Sequence, residues 1–400
     1  MATLVRKPVA TEKAQQRRHD LDWLRAGAVA VVFLYHNARF FGGEYWQIGN
    51  TQRSFVVDAL AGFVGLWLMP LFFLLAGASS RFALASESPG RYVWKRFRRL
   101  VVPFLVGIFI LAPPQAYVEA LLYSSFRGSF LEFYPRFFIG RLEMPHRSLG
   151  WLFAGFGYHL WFLGFLFVYS TLALPLFRFL GNTESGRLLV ANLARWTRGR
   201  SILWWVVPAA LAQVALRARF PHYLDVADFA YWFVFFVYGY LLCADQRLTR
   251  AVESQGRTAF VIGVASFLGL VAALYAGRLA NWMLRPSYSP GFMLFQLFSS
   301  LDAWAWLIVI LSLAARHLSF RNPTLDYANE AVLPFYILHE PLIMMIGFVV
   351  VGWHVSIFFK YPFLVAASFA VTLALYEFVV KRTRITRALF GMKLRDPRAG

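Results

Sequence analysis

Leu21-Asp22-Trp23-Leu24-Arg25, then the apolar run Ala26 to Leu34, then Tyr35-His36-Asn37-Ala38-Arg39 is the stretch that decides the reading of this chain. The run has the length of a membrane-spanning helix, yet it holds an arginine and a histidine. An ionisable residue at the centre of a span costs roughly 2.5–3.5 kcal/mol on insertion scales, so it needs a reason to be there. Arg25 and His36 are eleven residues apart. At about 100° per residue, that separation returns the chain nearly to the same helix face, about 16 Å further along. A cation and a titratable base therefore look into one interior space, an arrangement suited to chemistry on a polar substrate held inside the membrane.

The rest of the chain is equally apolar. Of its 400 residues, 59% are hydrophobic and only 15% are charged, below the roughly 25% charged residues of soluble domains. Phe, Trp and Tyr make up 18%, many of them near span ends, where amphipathic rings sit at headgroup level. The chain reads as a polytopic membrane protein. Cys243 is the one cysteine, so no internal disulfide and no cysteine-built zinc site can form, and no metal is expected. Cys243 reads as a small apolar filler. The first twenty residues are polar and basic and lack the apolar core of a cleavable signal peptide. The first span is expected to serve as the insertion signal.

Hydrophobic windows mark ten candidate spans, at about 21–41, 55–80, 98–118, 150–177, 201–216, 229–243, 259–277, 290–315, 331–352 and 355–380. Of the 40 Lys and Arg residues, 28 fall on one set of alternate loops and tails and 11 on the other, with Arg25 inside a span. This asymmetry places both termini in the cytoplasm. It also explains the net charge of +20 as a topology signal rather than a nucleic-acid stripe. The expected fold is an all-α polytopic membrane protein of about ten transmembrane helices. A basic tail over 1–20 precedes a membrane domain over 21–380, and a second basic tail covers 381–400. The longest outer loop, about 119–149, is rich in Phe and carries Glu119, Glu132 and Glu143, which fits a short interfacial helix or a re-entrant piece. No internal repeat is evident, which disfavours the transporter folds built from repeats.

Several spans place polar groups at similar depth. By helix rise, His36 lies about 22 Å from the cytoplasmic edge of the first span, and His159 about 14 Å from the outer edge of its own. Asp302 and His339 fall near the middle. Tyr336 and His339 are three apart and share a face. Imidazole titrates near neutrality, so His36 can serve as a general base; the plainer reading is a helix–helix hydrogen bond. Arg25 can pin an anion in forked geometry, or snorkel to nearby headgroups. His159 and Trp161 fit a substrate contact or an interfacial aromatic pair equally. Tyr336 and His339 line a cavity or bond between helices. Asp302 orients a histidine or pairs with Arg25, or equally joins a structural ion pair. Glu340, before Pro341, fits a helix kink. Arg96 and Arg99 share a face at the mouth of the third span, and either grip phosphates or face anionic lipid.

Five segments together resemble the membrane acyltransferases of acyltransferase family 3. They are Arg25 followed after ten residues by His36, Met69-Pro70-Leu71-Phe72-Phe73-Leu74-Leu75-Ala76-Gly77, Arg96-Phe97-Arg98-Arg99 before Pro103, His159-Leu160-Trp161-Phe162-Leu163, and Tyr336-Ile337-Leu338-His339-Glu340-Pro341. Ala76 stands where the family usually shows Ser. The resemblance covers almost the whole chain. It implies transfer of an acyl group, succinyl or acetyl, from cytoplasmic acyl-CoA to a hydroxyl of a periplasmic glucan or other envelope carbohydrate, in the bacterial inner membrane. His36 would be the base or a transient acyl carrier, and Arg25 would position the donor or the acid supporting His36. Arg96 and Arg99 would bind the phosphates of coenzyme A. His159, Trp161, Tyr336, His339 and Asp302 would line the substrate cavity. Acyl-CoA then acts as a donor substrate rather than a permanently bound cofactor. The implied partners are that donor, the carbohydrate acceptor and membrane lipid, with no nucleic acid and with a homo-oligomer compatible. The rival reading is a proton-coupled sugar or polyol transporter with His36, Asp302 and His339 as its relay.

Overall fold

The computed structural model describes residues 18–43, 46–124, 126–143, 148–278, 282 and 286–394. The basic tail over 1–20 therefore lies almost entirely outside the described residues, as do 395–400. Every regular element described is helical. In chain order they are α1 (His19–Arg39), α2 (Phe55–Leu84), α3 (Pro89–Tyr123), α4 (Phe130–Glu143), α5 (Trp151–Leu172), α6 (Leu174–Asn182), α7 (Glu184–Trp196), α8 (Gly199–Leu216), α9 (Val226–Ala244), α10 (Gln246–Ser254), α11 (Gly256–Tyr275), α12 (Pro290–His317), α13 (Pro323–Val351), α14 (Ile357–Val380) and α15 (Arg384–Leu389).

Nine of these helices are long and apolar enough to cross a membrane, by length and composition, among the described residues. The sequence windows anticipate ten. The difference is α1, where Asp22, Arg25, His36 and Asn37 dilute the apolar content of a 21-residue helix. At 1.5 Å per residue α1 is about 31 Å long, the thickness of a hydrocarbon core. It lies against α2 and α13 inside the bundle, so its polar groups face protein. The 119–149 stretch carries the helix α4, whose Leu131, Ile139 and Leu142 are exposed.

Two glycines set the tightest crossing. A β-carbon at Gly77 would overlap the Phe236 carbonyl, and one at Gly239 would overlap the Leu74 carbonyl. Helices α2 and α9 thus touch backbone to backbone, the small-residue packing that membrane helices use in place of a hydrophobic drive.

Prolines and one strained residue shape the elements that carry the site. Pro103 has no N–H to give to the Arg99 carbonyl, and α3 widens there into a π turn over Phe97–Val101, with Val102 N–H reaching back to Phe97 O. Arg98 and Arg99 sit in that turn. A second π turn covers Gly107–Leu111, just before Pro113. Helix α5 breaks at Tyr158, whose φ is +49°, a value that bulky L-residues rarely adopt. Arg141 donates to the Tyr158 hydroxyl (2.9 Å), which donates to Glu119 (3.1 Å), and these bonds hold the break. The 3₁₀ turn Tyr158–Leu160 then presents His159 inward.

Candidate active site

Three histidines and one glutamate meet where α1, α5 and α13 converge. His36 Nδ1 lies 2.9 Å from His339 Nε2 and 3.1 Å from Glu340 Oε2. His159 Nδ1 faces the same Glu340 oxygen at 3.6 Å. The rings of His36 and His339 lie nearly parallel, 5.1 Å apart, and His159 stands edge-on to His339 at 5.0 Å. His159, His339 and Glu340 are buried. His36 keeps an open edge, with 14% of its side chain exposed.

The network assigns the ring protons. His339 Nδ1 is 2.6 Å from the Tyr336 carbonyl, and His159 Nε2 is 3.0 Å from that same oxygen. A carbonyl only accepts, so both nitrogens donate. His339 Nε2 is then an acceptor, and the proton between it and His36 belongs to His36 Nδ1. That leaves His36 Nε2 with a lone pair and no hydrogen-bond partner among the described residues. One base nitrogen is oriented outward while its opposite nitrogen is tied to a carboxylate, the arrangement that a general base requires. Pro341 follows Glu340 on α13. It cannot donate to the Ile337 carbonyl, one residue beyond the doubly used Tyr336 carbonyl in the continuous helix α13. The Tyr336 hydroxyl donates to the His159 carbonyl at 2.5 Å and locks α13 to the break in α5.

A second feature begins one helical turn away. A cavity of about 950 Å³ runs between α1, α2, α3, α5 and α13, and Tyr336 and Phe162 line it. It is also lined by Arg18, Arg25, Lys95, Arg96, Arg98 and Arg99. Arg25 donates to Ser79 Oγ at 2.8 Å and pairs with Asp22 at 3.2 Å. Arg96 donates to Ser80 Oγ at 3.0 Å, and Tyr92 donates to the same hydroxyl at 2.9 Å. Ala76 is in the wall, and the hydroxyls on this part of α2 come from Ser79 and Ser80 instead.

The predicted residues therefore divide. His36, His159, Tyr336 and His339 come together in the histidine cluster, and Arg25, Arg96 and Arg99 line the basic cavity. Trp161 belongs to neither: it stacks on Trp232 at 5.1 Å and packs on Phe73 and Phe165 in an aromatic core. Asp302 is also apart. It accepts from Ser266 Oγ of α11 at 3.1 Å and is fully buried there. An orienting role for Asp302 at a histidine, or a pair with Arg25, does not fit this placement. Its span depth matches the cluster, but its helix face turns to α11. Sequence reasoning undervalued Glu340, read as part of a proline kink. A lone carboxylate beside a histidine in an apolar span was the available signal. Asn37, the next residue after His36, was also missed; fully buried, it accepts from Ser368 of α14 at 3.2 Å. Among the described residues no group of three His, Cys, Asp or Glu has metal-binding geometry.

A helical membrane bundle that joins an oriented imidazole to a long basic cavity has the parts of an intramembrane group-transfer enzyme. The acyltransferase domain of acyltransferase family 3 matches residues 18–377, and the chain belongs to that family. Among curated proteins, glucans biosynthesis protein C of Escherichia coli O6:K15:H31 is 23% identical over 342 residues, covering 83% of each chain. The protein of the same name from Salmonella typhi is 23% identical over 362 residues, with the same coverage. No solved structure matches. The chain is thus a multi-pass membrane acyltransferase.

Proposed function

We propose that this enzyme moves an acyl group from acyl-CoA to a hydroxyl of an envelope carbohydrate in the bacterial inner membrane. The name of the relatives favours a glucan as acceptor, and the group transferred is read as succinyl or acetyl. The single observation that carries the reading is that Tyr336, one turn of α13 before His339 and Glu340, lines the basic cavity. With both termini in the cytoplasm, the guanidinium-rich end faces the cytoplasmic pool of acyl-CoA. Arg96 and Arg99 hold the donor's phosphates, Arg25 the chain beyond them, and the thioester reaches towards the histidine cluster.

In the transfer, His36 Nε2 takes the proton of the acceptor hydroxyl as its oxygen attacks the thioester carbonyl. The new C–O bond forms, the C–S bond breaks, and the coenzyme A thiolate leaves with the proton that His36 returns. While His36 is doubly protonated, its Nδ1–H points at the Glu340 carboxylate, which stabilises the imidazolium. His339 Nε2 accepts from His36 Nδ1 and holds the ring in place, and His159 packs edge-on against His339. The transporter reading loses support, because Asp302 shares no hydrogen bond or ion pair with His36 or His339.

The test is the purified, folded His36→Ala protein in lipid nanodiscs, assayed for acyl-CoA consumption with a glucan acceptor. A loss of about 10²–10⁴-fold in kcat is expected of a general base. Full retained activity would remove His36 from the chemistry.

A further inference from the structure

The basic cavity has a wall that the acyl-transfer chemistry does not require. Helix α15 ends at Leu389, and two residues on Gly391, with a φ of +67°, turns the chain back on itself. Gly391 N–H donates to the Ala388 carbonyl at 3.1 Å, and Met392 N–H to the Arg387 carbonyl at 2.8 Å. This doubly bonded helix stop favours glycine at its left-handed position. A β-carbon at Gly391 would lie 2.7 Å from the Arg99 carbonyl oxygen and 2.9 Å from the Leu333 side chain. The turn is therefore seated on α3 and α13. Arg387 is buried and clips it in place, with one donor to Glu330 of α13 at 2.8 Å and two to the Lys393 carbonyl at 3.1 and 2.8 Å. The hook so formed, Ala388 with Gly391–Leu394, lines the same cavity as Arg96 and Arg99.

We infer that this C-terminal hook completes the donor site, with Lys393 as a further cation for a nucleotide's phosphates and Arg387 as the positioning residue that holds it there. The inference rests on the reading of the cavity as the acyl-CoA site. Lys393 is exposed on the cavity rim and shares that rim with five other Lys and Arg residues from α1–α3 and with Arg18. An anion with several phosphates gains from each cation it meets. The clip ends on α13, which also carries Tyr336, His339 and Glu340, so the hook and the base cluster share one helix.

The experiment measures binding of coenzyme A to the full-length protein in nanodiscs by calorimetry, at low and high salt. Lys393→Ala is expected to weaken binding about 3- to 10-fold at low salt, with the difference shrinking at high salt. Lys393→Arg should restore it, and Arg387→Gln should weaken it in the same direction. In turnover assays, Lys393→Ala should raise the KM for acyl-CoA and leave kcat unchanged, a split that a merely structural defect would not give. Unchanged binding in Lys393→Ala, while Arg99→Ala loses it, overturns the hook and leaves the donor site standing. Unchanged binding in all of these variants overturns the donor-site reading and the hook with it.

Discussion

His36 Nδ1 and Glu340 Oε2 meet at 3.1 Å across the contact between α1 and α13. The contact fixes the imidazole ring, because Nδ1 has both this carboxylate and His339 Nε2 as acceptors while Nε2 has none. Glu340→Gln keeps an oxygen for the Nδ1 proton and removes the charge. The expected result is a kcat lower by about 10²-fold or more with KM for acyl-CoA little changed, since the lost interaction grows only as the imidazolium forms. Steady-state kinetics on the nanodisc protein checks it. A raised KM with normal kcat would make Glu340 a binding residue instead.

The pH dependence carries a sign. A base works with its Nε2 free of a proton, so the rate falls as the medium is acidified through the titration of His36. On the acid side log kcat/KM should rise with a slope of about one per pH unit and then level off. A kcat/KM that stays flat on the acid side would remove an imidazole base from the chemistry.

Asp302 gives the sharpest separation of enzyme from transporter. Its Oδ1 accepts from Ser266, and no hydrogen bond or ion pair links it to the histidines. Asp302→Asn preserves that acceptor, so acyl transfer is expected at the wild-type kcat. A proton relay through Asp302 predicts the opposite, with coupled uptake into proteoliposomes abolished. Parallel assays of transfer and uptake on one preparation distinguish the two.

Much of the bundle was legible in the sequence because membrane spans announce themselves through length and apolarity. The first span was the exception on composition, and the residues that dilute it are the ones that carry the site. Arg25 and His36 could be placed at different depths by counting helix rise, and the structure keeps them apart: Arg25 bonds Ser79, and His36 bonds His339. What could not be read was rotation. Depth alone put Asp302 beside His339, but only packing decides which way each helix face turns, and Asp302 turns to Ser266. The same limit hid Glu340, since a carboxylate before proline reads as a kink until its partners on α1 and α5 are known.

The crossing of α2 and α9 supports the site from behind and can be tested by a single methyl group. Gly77 lies seven residues after Pro70 on the helix that carries Ser79 and Ser80, the hydroxyls that hold Arg25 and Arg96. Gly239 faces the Leu74 carbonyl so closely that an added β-carbon overlaps backbone, which cannot give way as a side-chain tip can. Gly239→Ala must therefore push α2 and α9 apart. The expected effect is a destabilisation of about 1–3 kcal/mol, read as a lower thermal midpoint in detergent. Because the displaced helix carries Ser79 and Ser80, the KM for acyl-CoA should rise as well. Gly62→Ala, on the same helix with open space around its α-carbon, is the control. Equal midpoints and equal KM values for the two variants would show that the close crossing contributes nothing to holding the donor cavity.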